Sequence, residues 1–197
     1  MGMKPVASGC AWTPEGLRNA DAELIHSHCS NQIPYSLVNP YSLKAPTAPL
    51  FAARAERARI DKTVIESAFQ QLIDVADTVI VEGIGGWRMP LGPQLQLSDI
   101  IRSLQLQVIL VVGLRLGCIN HALLSMEGIR TDGLHLAGWV ANQIDPDYCM
   151  IDQTLEFLTA ELRAPLIGMI PFSVDYDSTA TASCLVPRCL EMLAGNS

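Results

Sequence analysis

Three charged side chains stand where an α/β chain can put them to chemical use: Lys4 near the start, Asp21 in a helix-like segment and Glu82 at the end of a β-branched run. The clearest local pattern surrounds Glu82. Residues 78–81, Thr-Val-Ile-Val, read as a strand buried on both faces, as in a parallel sheet, and Glu82-Gly83-Ile84-Gly85-Gly86 follows directly. Ligands of open α/β sheets bind beyond the carboxyl ends of the strands. A carboxylate placed there, followed by glycines that let a ligand approach the backbone, is a candidate metal or phosphate site. The plain alternative is a tight strand exit with a solvated Glu. Lys4, Asp21 and Glu82 together make a candidate polar site in a ligand-binding domain, and by themselves they name no reaction.

Several familiar chemistries are excluded by spacing. The glycines at 83, 85 and 86 would need a glycine at 88 for a dinucleotide fingerprint, and that position is Arg88. No Gly-Lys dipeptide occurs, so the phosphate-cradling G-x-x-x-x-G-K-[S/T] loop is absent from the sequence. There is no G-x-S-x-G elbow and no Cys-His pairing at a suggestive spacing. The six cysteines form no C-x-x-C pair, and Cys184 and Cys189 lack partners at zinc spacing.

Composition narrows the class further. A chain of 197 residues, 49% hydrophobic and 17% charged, has enough apolar material for one α/β domain with a real core, and 1–197 is read as a single domain. A net charge of −7 with only three lysines argues against a nucleic-acid surface. The longest strongly apolar run, residues 108–114, is far short of the roughly 20 residues that cross a bilayer. With no secretory signal in Met1-Gly2-Met3-Lys4-Pro5, the expectation is a soluble cytoplasmic chain with reduced cysteines.

The elements that must position these residues alternate. Residues 4–9 read as the end of a strand entering a loop, and Thr13-Pro14-Glu15-Gly16 as a turn. Residues 19–28 predict a short helix with Ala20, Leu24 and Ile25 on one side. Four prolines within 31–49 predict a long loop, and 52–59 an exposed turn or two of helix. Asp61 can cap a helix in which Val64, Ile65, Ala68, Phe69, Leu72, Ile73 and Ala76 share a face. A helix over 97–104 and a fully apolar strand over 107–112 come next. An amphipathic helix from Ile119 to Ile129 ends at Asp132-Gly133, a strand over 136–141 finishes at Asn142, and a helix follows from Tyr148 to Leu162. A strand over 165–170 stops at Pro171, and a last helix covers 182–193. Strands alternating with helices imply right-handed β-α-β crossovers and a mainly parallel sheet.

Five stretches, in order, carry a resemblance. They are Lys4-Pro5-Val6-Ala7-Ser8-Gly9 with Thr13-Pro14-Glu15-Gly16-Leu17-Arg18-Asn19-Ala20-Asp21-Ala22; Val38-Asn39-Pro40-Tyr41 with Ala45-Pro46-Thr47; Val81-Glu82-Gly83-Ile84-Gly85-Gly86-Trp87; residues 111–122 through Gly117-Cys118-Ile119-Asn120-His121-Ala122; and Ala137-Gly138-Trp139-Val140-Ala141-Asn142. Together they closely resemble the ATP-dependent dethiobiotin synthetases over Lys4 to about Pro171. The resemblance implies a P-loop NTPase-like α/β fold, a mainly parallel sheet with helices on both faces, and a homodimer with the substrate site at its interface. It also implies ring closure of 7,8-diaminopelargonate with CO2 and MgATP.

Residue roles follow from the same resemblance. Lys4 would be catalytic, stabilising charge on a carbamate and on the transferring phosphoryl group; the alternative is an exposed terminal lysine. Asp21 and Glu82 would hold Mg²⁺ as hard oxygen ligands beside the nucleotide, and otherwise are an ordinary first-turn acid and a loop acid. Ser8, Pro46 and Thr47 would border the substrate. Gly117, Cys118 and Asn120 would hold its carboxylate tail at a helix start, where backbone N–H groups favour anions. Asn142 would read the adenine edge, with Gly85 and Pro171 also lining the nucleotide.

Two departures qualify the expectation. Arg115 stands where the family more often has Lys, which changes donor geometry, and its role stays open. The family also places its first strand, P-loop and first helix, a unit of ~30 residues, ahead of Lys4, where three residues stand here. The sequence therefore reads as N-terminally truncated, with little or no ATP-dependent ring closure expected of the 197 residues alone. The alternative is a catalytically inactive relative acting as a ligand-binding or regulatory module.

Overall fold

The computed structural model describes residues 1–175 and 177–185 and divides the chain into two compact units, Met1–Leu104 and Gln105–Ser197.

In Met1–Leu104, short strands alternate with turns and helices. Strands β1 (Gly2–Met3) and β2 (Val6–Ala7) lead into a hairpin of β3 (Ala11–Thr13) and β4 (Gly16–Arg18), whose two-residue turn is Pro14-Glu15. Helix α1 (Ala20–Ser27) starts at Asn19, whose side chain accepts from the Ala22 N–H. The long loop expected over 31–49 instead holds α2 (Tyr35–Val38) and β5 (Tyr41–Ser42). Pro34 and Pro40 flank α2, so the prolines that suggested a loop punctuate short elements.

Helix α3 (Pro49–Ala55) begins earlier than the sequence suggested and is not simply exposed: Pro49, Ala52 and Ala53 are buried. Asp61 caps α4 (Lys62–Ile73) as expected. Strand β6 (Ile80–Val81), a β7 (Pro90–Gly92) and β8 (Leu95–Gln96) hairpin, and α5 (Leu97–Ser103) complete the unit. The buried face of α4 is Ile65, Ala68 and Leu72, at helical spacing, and it joins a core with Met3, Val6, Leu43 and Ile100.

Two burial expectations are corrected here. Strand β6 pairs in parallel with β1, but Ile80 is 70% exposed rather than buried, so its face of the strand is open. In α1 the buried side chain is Ala22, while Ala20 and Leu24 face solvent.

In Gln105–Ser197, β9 (Val108–Leu114), α6 (Cys118–Thr131), β10 (Leu136–Gln143), α7 (Ile151–Leu162) and β11 (Leu166–Ile170) give a parallel sheet in the order β11-β10-β9. Only the first six residues of the central strand β10 are buried without interruption. Strand β9, the expected fully apolar strand, has its side chains alternately covered over its first half, with Ile109 and Val111 exposed. Trp139, Leu158, Leu162 and Ile167 form the fully buried centre. Gly133, at φ +76°, ends α6 in the left-handed conformation that a residue with a Cβ adopts reluctantly. Helix α8 (Ser178–Ser183) is the last described. The expected helix over 182–193 lies mostly outside the described residues.

Candidate functional site

Lys4 occupies the break between β1 and β2. β1 pairs with β6, whereas β2 pairs with β5, so Lys4-Pro5 is where the chain leaves one parallel ladder and joins another. The β1–β6 register places Met3 opposite Val81, and the Glu82 N–H continues the ladder by donating to the Met3 carbonyl at 2.7 Å. That register sets Glu82 beside Lys4.

The two side chains meet. Lys4 Nζ donates to Glu82 Oε1 at 2.5 Å and lies 3.3 Å from Asp21 Oδ2 and 3.5 Å from the Gly83 carbonyl. Residue Lys4 is 5% exposed, which overturns the plain reading of an exposed terminal lysine. A lysine so buried requires charge partners, and the two carboxylates supply them. Their own side chains remain 61% and 51% open to solvent at Asp21 and Glu82, so the cluster is buried on the ammonium side and accessible on the carboxylate side. Asp21 reaches the cluster from the first turn of α1, whose orientation the Asn19 cap fixes.

The backbone of Lys4 is held as firmly as its head. Its N–H donates to the Val38 carbonyl at 2.8 Å, and its carbonyl accepts from Asn39 Nδ2 at 2.6 Å. Asn39 is 3% exposed and was not singled out in the sequence for any role. The available signal was Tyr35 and Asn39 at helical i,i+4 spacing on either side of a short apolar pair.

The remaining expected residues of this unit lie in the segments that follow β2, β5 and β6. The Ser8 carbonyl lies 3.5 Å from Asn19 Nδ2. Gly9, at φ +73°, approaches Pro46 so closely that a Cβ there would meet the Pro46 Cβ at 3.4 Å, and Thr47 follows with its N–H donating to Ala45. Gly85 has φ +67°, a left-handed conformation that favours glycine, and a Cβ on it would also displace the end of the Met89 side chain. Cys10, beside Ser8 and Gly9 in the chain, is buried. Loss of hydration pushes its thiol up from the ordinary value, which keeps it protonated and unreactive.

In the second unit the expected residues fall at the carboxyl ends of parallel strands. Gly117, at φ +91°, starts α6 without a side-chain cap. Cys118 behind it is buried and Asn120 is exposed on the first turn. Asn142 lies near the end of β10 in register with Gly113 of β9 and Ile170 of β11, so Pro171 follows directly after its ladder partner. Arg115 is exposed.

Asp21 and Glu82 offer hard oxygens of the kind Mg²⁺ takes. Because Mg²⁺ is commonly held by one or two carboxylates plus phosphates and water, the donor set fits. Among the described residues no group of three or more His, Cys, Asp or Glu forms a metal cage.

A family model described as an AAA domain matches residues 2–180. An ATP-dependent dethiobiotin synthetase BioD of Xanthomonas euvesicatoria pv. vesicatoria (strain 85-10) is 46% identical over 189 residues, 95% of this chain and 84% of that protein. Another, from Aromatoleum aromaticum, is 46% identical over 185 residues, covering 94% and 82%. The chain belongs to the dethiobiotin synthetase family. Its P-loop NTPase-like α/β fold agrees with the sequence expectation, and the mainly parallel pairing of β1–β6, β2–β5 and β9–β11 is that fold's pattern. Among the described residues no helix is long and apolar enough to cross a membrane.

Proposed function

We propose that this synthetase-family chain, read as one domain in a cytoplasmic homodimer, closes the ureido ring of dethiobiotin from 7,8-diaminopelargonate, CO2 and ATP. The single observation that carries the reading is the buried Lys4 ammonium poised between Asp21 and Glu82 at a strand switch. One amine of the diamine adds to CO2 and loses a proton to give a carbamate. A carbamate oxygen attacks the γ-phosphorus of ATP, ADP departs, and a carbamic–phosphoric anhydride results. The second amine then attacks the carbonyl carbon, phosphate leaves with the C–O electron pair, and the attacking nitrogen gives up a proton as the ring closes.

Lys4 acts on the charge that builds up. Its ammonium donates to carbamate and phosphoryl oxygens as they gain negative charge, and burial makes that interaction stronger than it is in water. The backbone ties at Val38 and Asn39 keep the stem from moving when oxygens replace carboxylates as its partners. Asp21 and Glu82 would hold Mg²⁺, which when bound neutralises phosphate charge. Ser8, Pro46 and Thr47 border the diamine. Gly85 lines the nucleotide. Within the second unit, taken by itself, Gly117, Cys118 and Asn120 offer an uncapped helix start suited to a carboxylate, and Asn142 and Pro171 a strand-end surface suited to a nucleotide.

The test is formation of dethiobiotin, followed by mass spectrometry, when the purified protein is given diamine, bicarbonate and MgATP; product at ordinary rates would also overturn the expectation of little or no ring closure drawn from the missing phosphate-cradling loop. Lys4→Met is expected to lower turnover by ~10²–10³-fold, the loss typical of removing one donor to a developing oxyanion. Turnover and diamine binding indifferent to Lys4→Met would overturn the reading.

A further inference from the structure

In the Val38-Asn39-Pro40-Tyr41 stretch, whose backbone ties hold the Lys4 stem, the Asn39 side chain lies at the centre of a closed hydrogen-bond network. Asn39 Nδ2 donates to the carbonyls of Lys4 and Tyr41 at 2.6 and 3.3 Å. Its Oδ1 accepts from Ser42 Oγ at 2.6 Å and Tyr35 Oη at 3.3 Å. Both amide protons and both lone-pair directions are used, so the orientation of the group is determined by its partners.

Tyr35 carries the connection onward. Its hydroxyl accepts from the backbone N–H of Asn19 at 3.0 Å, and Asn19 is the cap of the helix that bears Asp21. The same ring meets His26, in the last turn of α1, edge-on with centroids 5.8 Å apart, while the Arg18 guanidinium covers its face at 4.2 Å. Tyr35 therefore touches α1 at both ends.

We propose that Asn39 and Tyr35 are positioning residues. They tie the backbone of Lys4 to the cap of the Asp21 helix and so set where the ammonium sits relative to its carboxylate partner. The physical need is specific. Lys4 lies between two ladders: its N–H reaches the Val38 carbonyl and the Pro5 carbonyl accepts from the Tyr41 N–H, but Pro5 has no N–H to give and the Lys4 carbonyl is met by the Asn39 side chain. Side-chain bonds from Asn39 take over the role that a continuous ladder plays elsewhere. The catalytic part of the inference rests on the reading of Lys4 given above.

The test uses the purified protein labelled with ¹⁵N-lysine. With three lysines in the sequence, the Lys4 ammonium resonance is assigned from its disappearance in Lys4→Met. Tyr35→Phe keeps the ring under Arg18 and removes only the hydroxyl. Asn39→Asp keeps the shape and removes both donors. Both variants are expected to shift the Lys4 resonance. Ring-closure kcat should fall by about 10-fold in Tyr35→Phe and by ~10² in Asn39→Asp, with KM for the diamine within about twofold, because small misplacements act on the reacting geometry more than on binding.

Should Asn39→Asp fail to fold by circular dichroism, Tyr35→Phe decides. An unmoved Lys4 resonance in a folded variant overturns the inference, as does a kcat loss that only tracks a lowered thermal midpoint and recovers on cooling. A resonance that moves while even the parent forms no dethiobiotin supports the positioning claim and overturns the proposed reaction, so the two failures are distinguishable.

Discussion

In Gln105–Ser197 the sheet strands run for five to eight residues, and their position is set by continuous parallel registers over a buried centre. In Met1–Leu104 no strand exceeds three residues, and the chain is located by individual polar side chains: Asn39 on Lys4 and Tyr41, Tyr35 on Asn19, and Glu56 accepting from the Lys44 N–H. The difference shows two ways of meeting one requirement, that buried backbone groups find partners. A long ladder meets it with the backbone itself and tolerates side-chain change on its surface. A broken ladder meets it with particular Asn, Tyr and Glu residues, and can place a lysine head among carboxylates where a regular strand would continue.

This contrast can be broken by experiment. Leu158→Ala, at a fully buried position on α7, is expected to have the largest effect, about 2–5 kcal/mol. Hydrogen exchange should show the loss spread over the amides of β9, β10 and β11 together. Exchange accelerated only around residue 158 would mean that this sheet does not behave as one packed unit. Asn19→Ala removes the α1 cap and should cost about 0.5–2 kcal/mol, with exchange rising in α1 and leaving β9–β11 unchanged. A uniform rise throughout the chain would erase the distinction between the two regions.

The smallest effect is on pH dependence. The Thr63 backbone N–H holds the Asp61 carboxyl below its usual range, and a hydrogen bond from Ser103 does the same for Glu66. For a depressed carboxylate the contribution to stability is complete above the unfolded values of about 3.9 for Asp and 4.3 for Glu, and it is lost as pH falls through the folded values. Thermal midpoints should therefore be level from neutrality down to roughly pH 5 and fall at lower pH. Ser103→Ala should make the acid decline slightly shallower. An identical acid profile in that variant would remove Glu66 from the account. The effect is slight because both groups are solvated.

Much of the alternation was legible beforehand, for particular reasons. Asp61 before a run with apolar residues at helical spacing announced α4, and Asp132-Gly133 announced the end of α6, because caps and periodicity are local properties of the backbone. Burial was less legible. The apolar run at Ile80 suggested a strand covered on both faces, whereas that side chain is exposed, as is Val111 in the fully apolar run of β9, since coverage depends on which elements pack on a strand's faces. The short α2 and β5 were hidden among prolines, and with them the Asn39 network.

For the site, the sequence by itself determined which groups are available: one ammonium, two carboxylates, and glycines at turns that need φ above zero. Through ordered motifs it also determined the family. Residue type and local spacing encode those properties. Only the tertiary structure decided that Lys4 is buried, that Glu82, 78 residues along the chain, meets it at 2.5 Å, and that Asn39 holds its backbone. Those relations follow from the β1–β6 register and from a change of ladder partner at Lys4-Pro5, and pairing between distant segments leaves no trace in the spacing of either one.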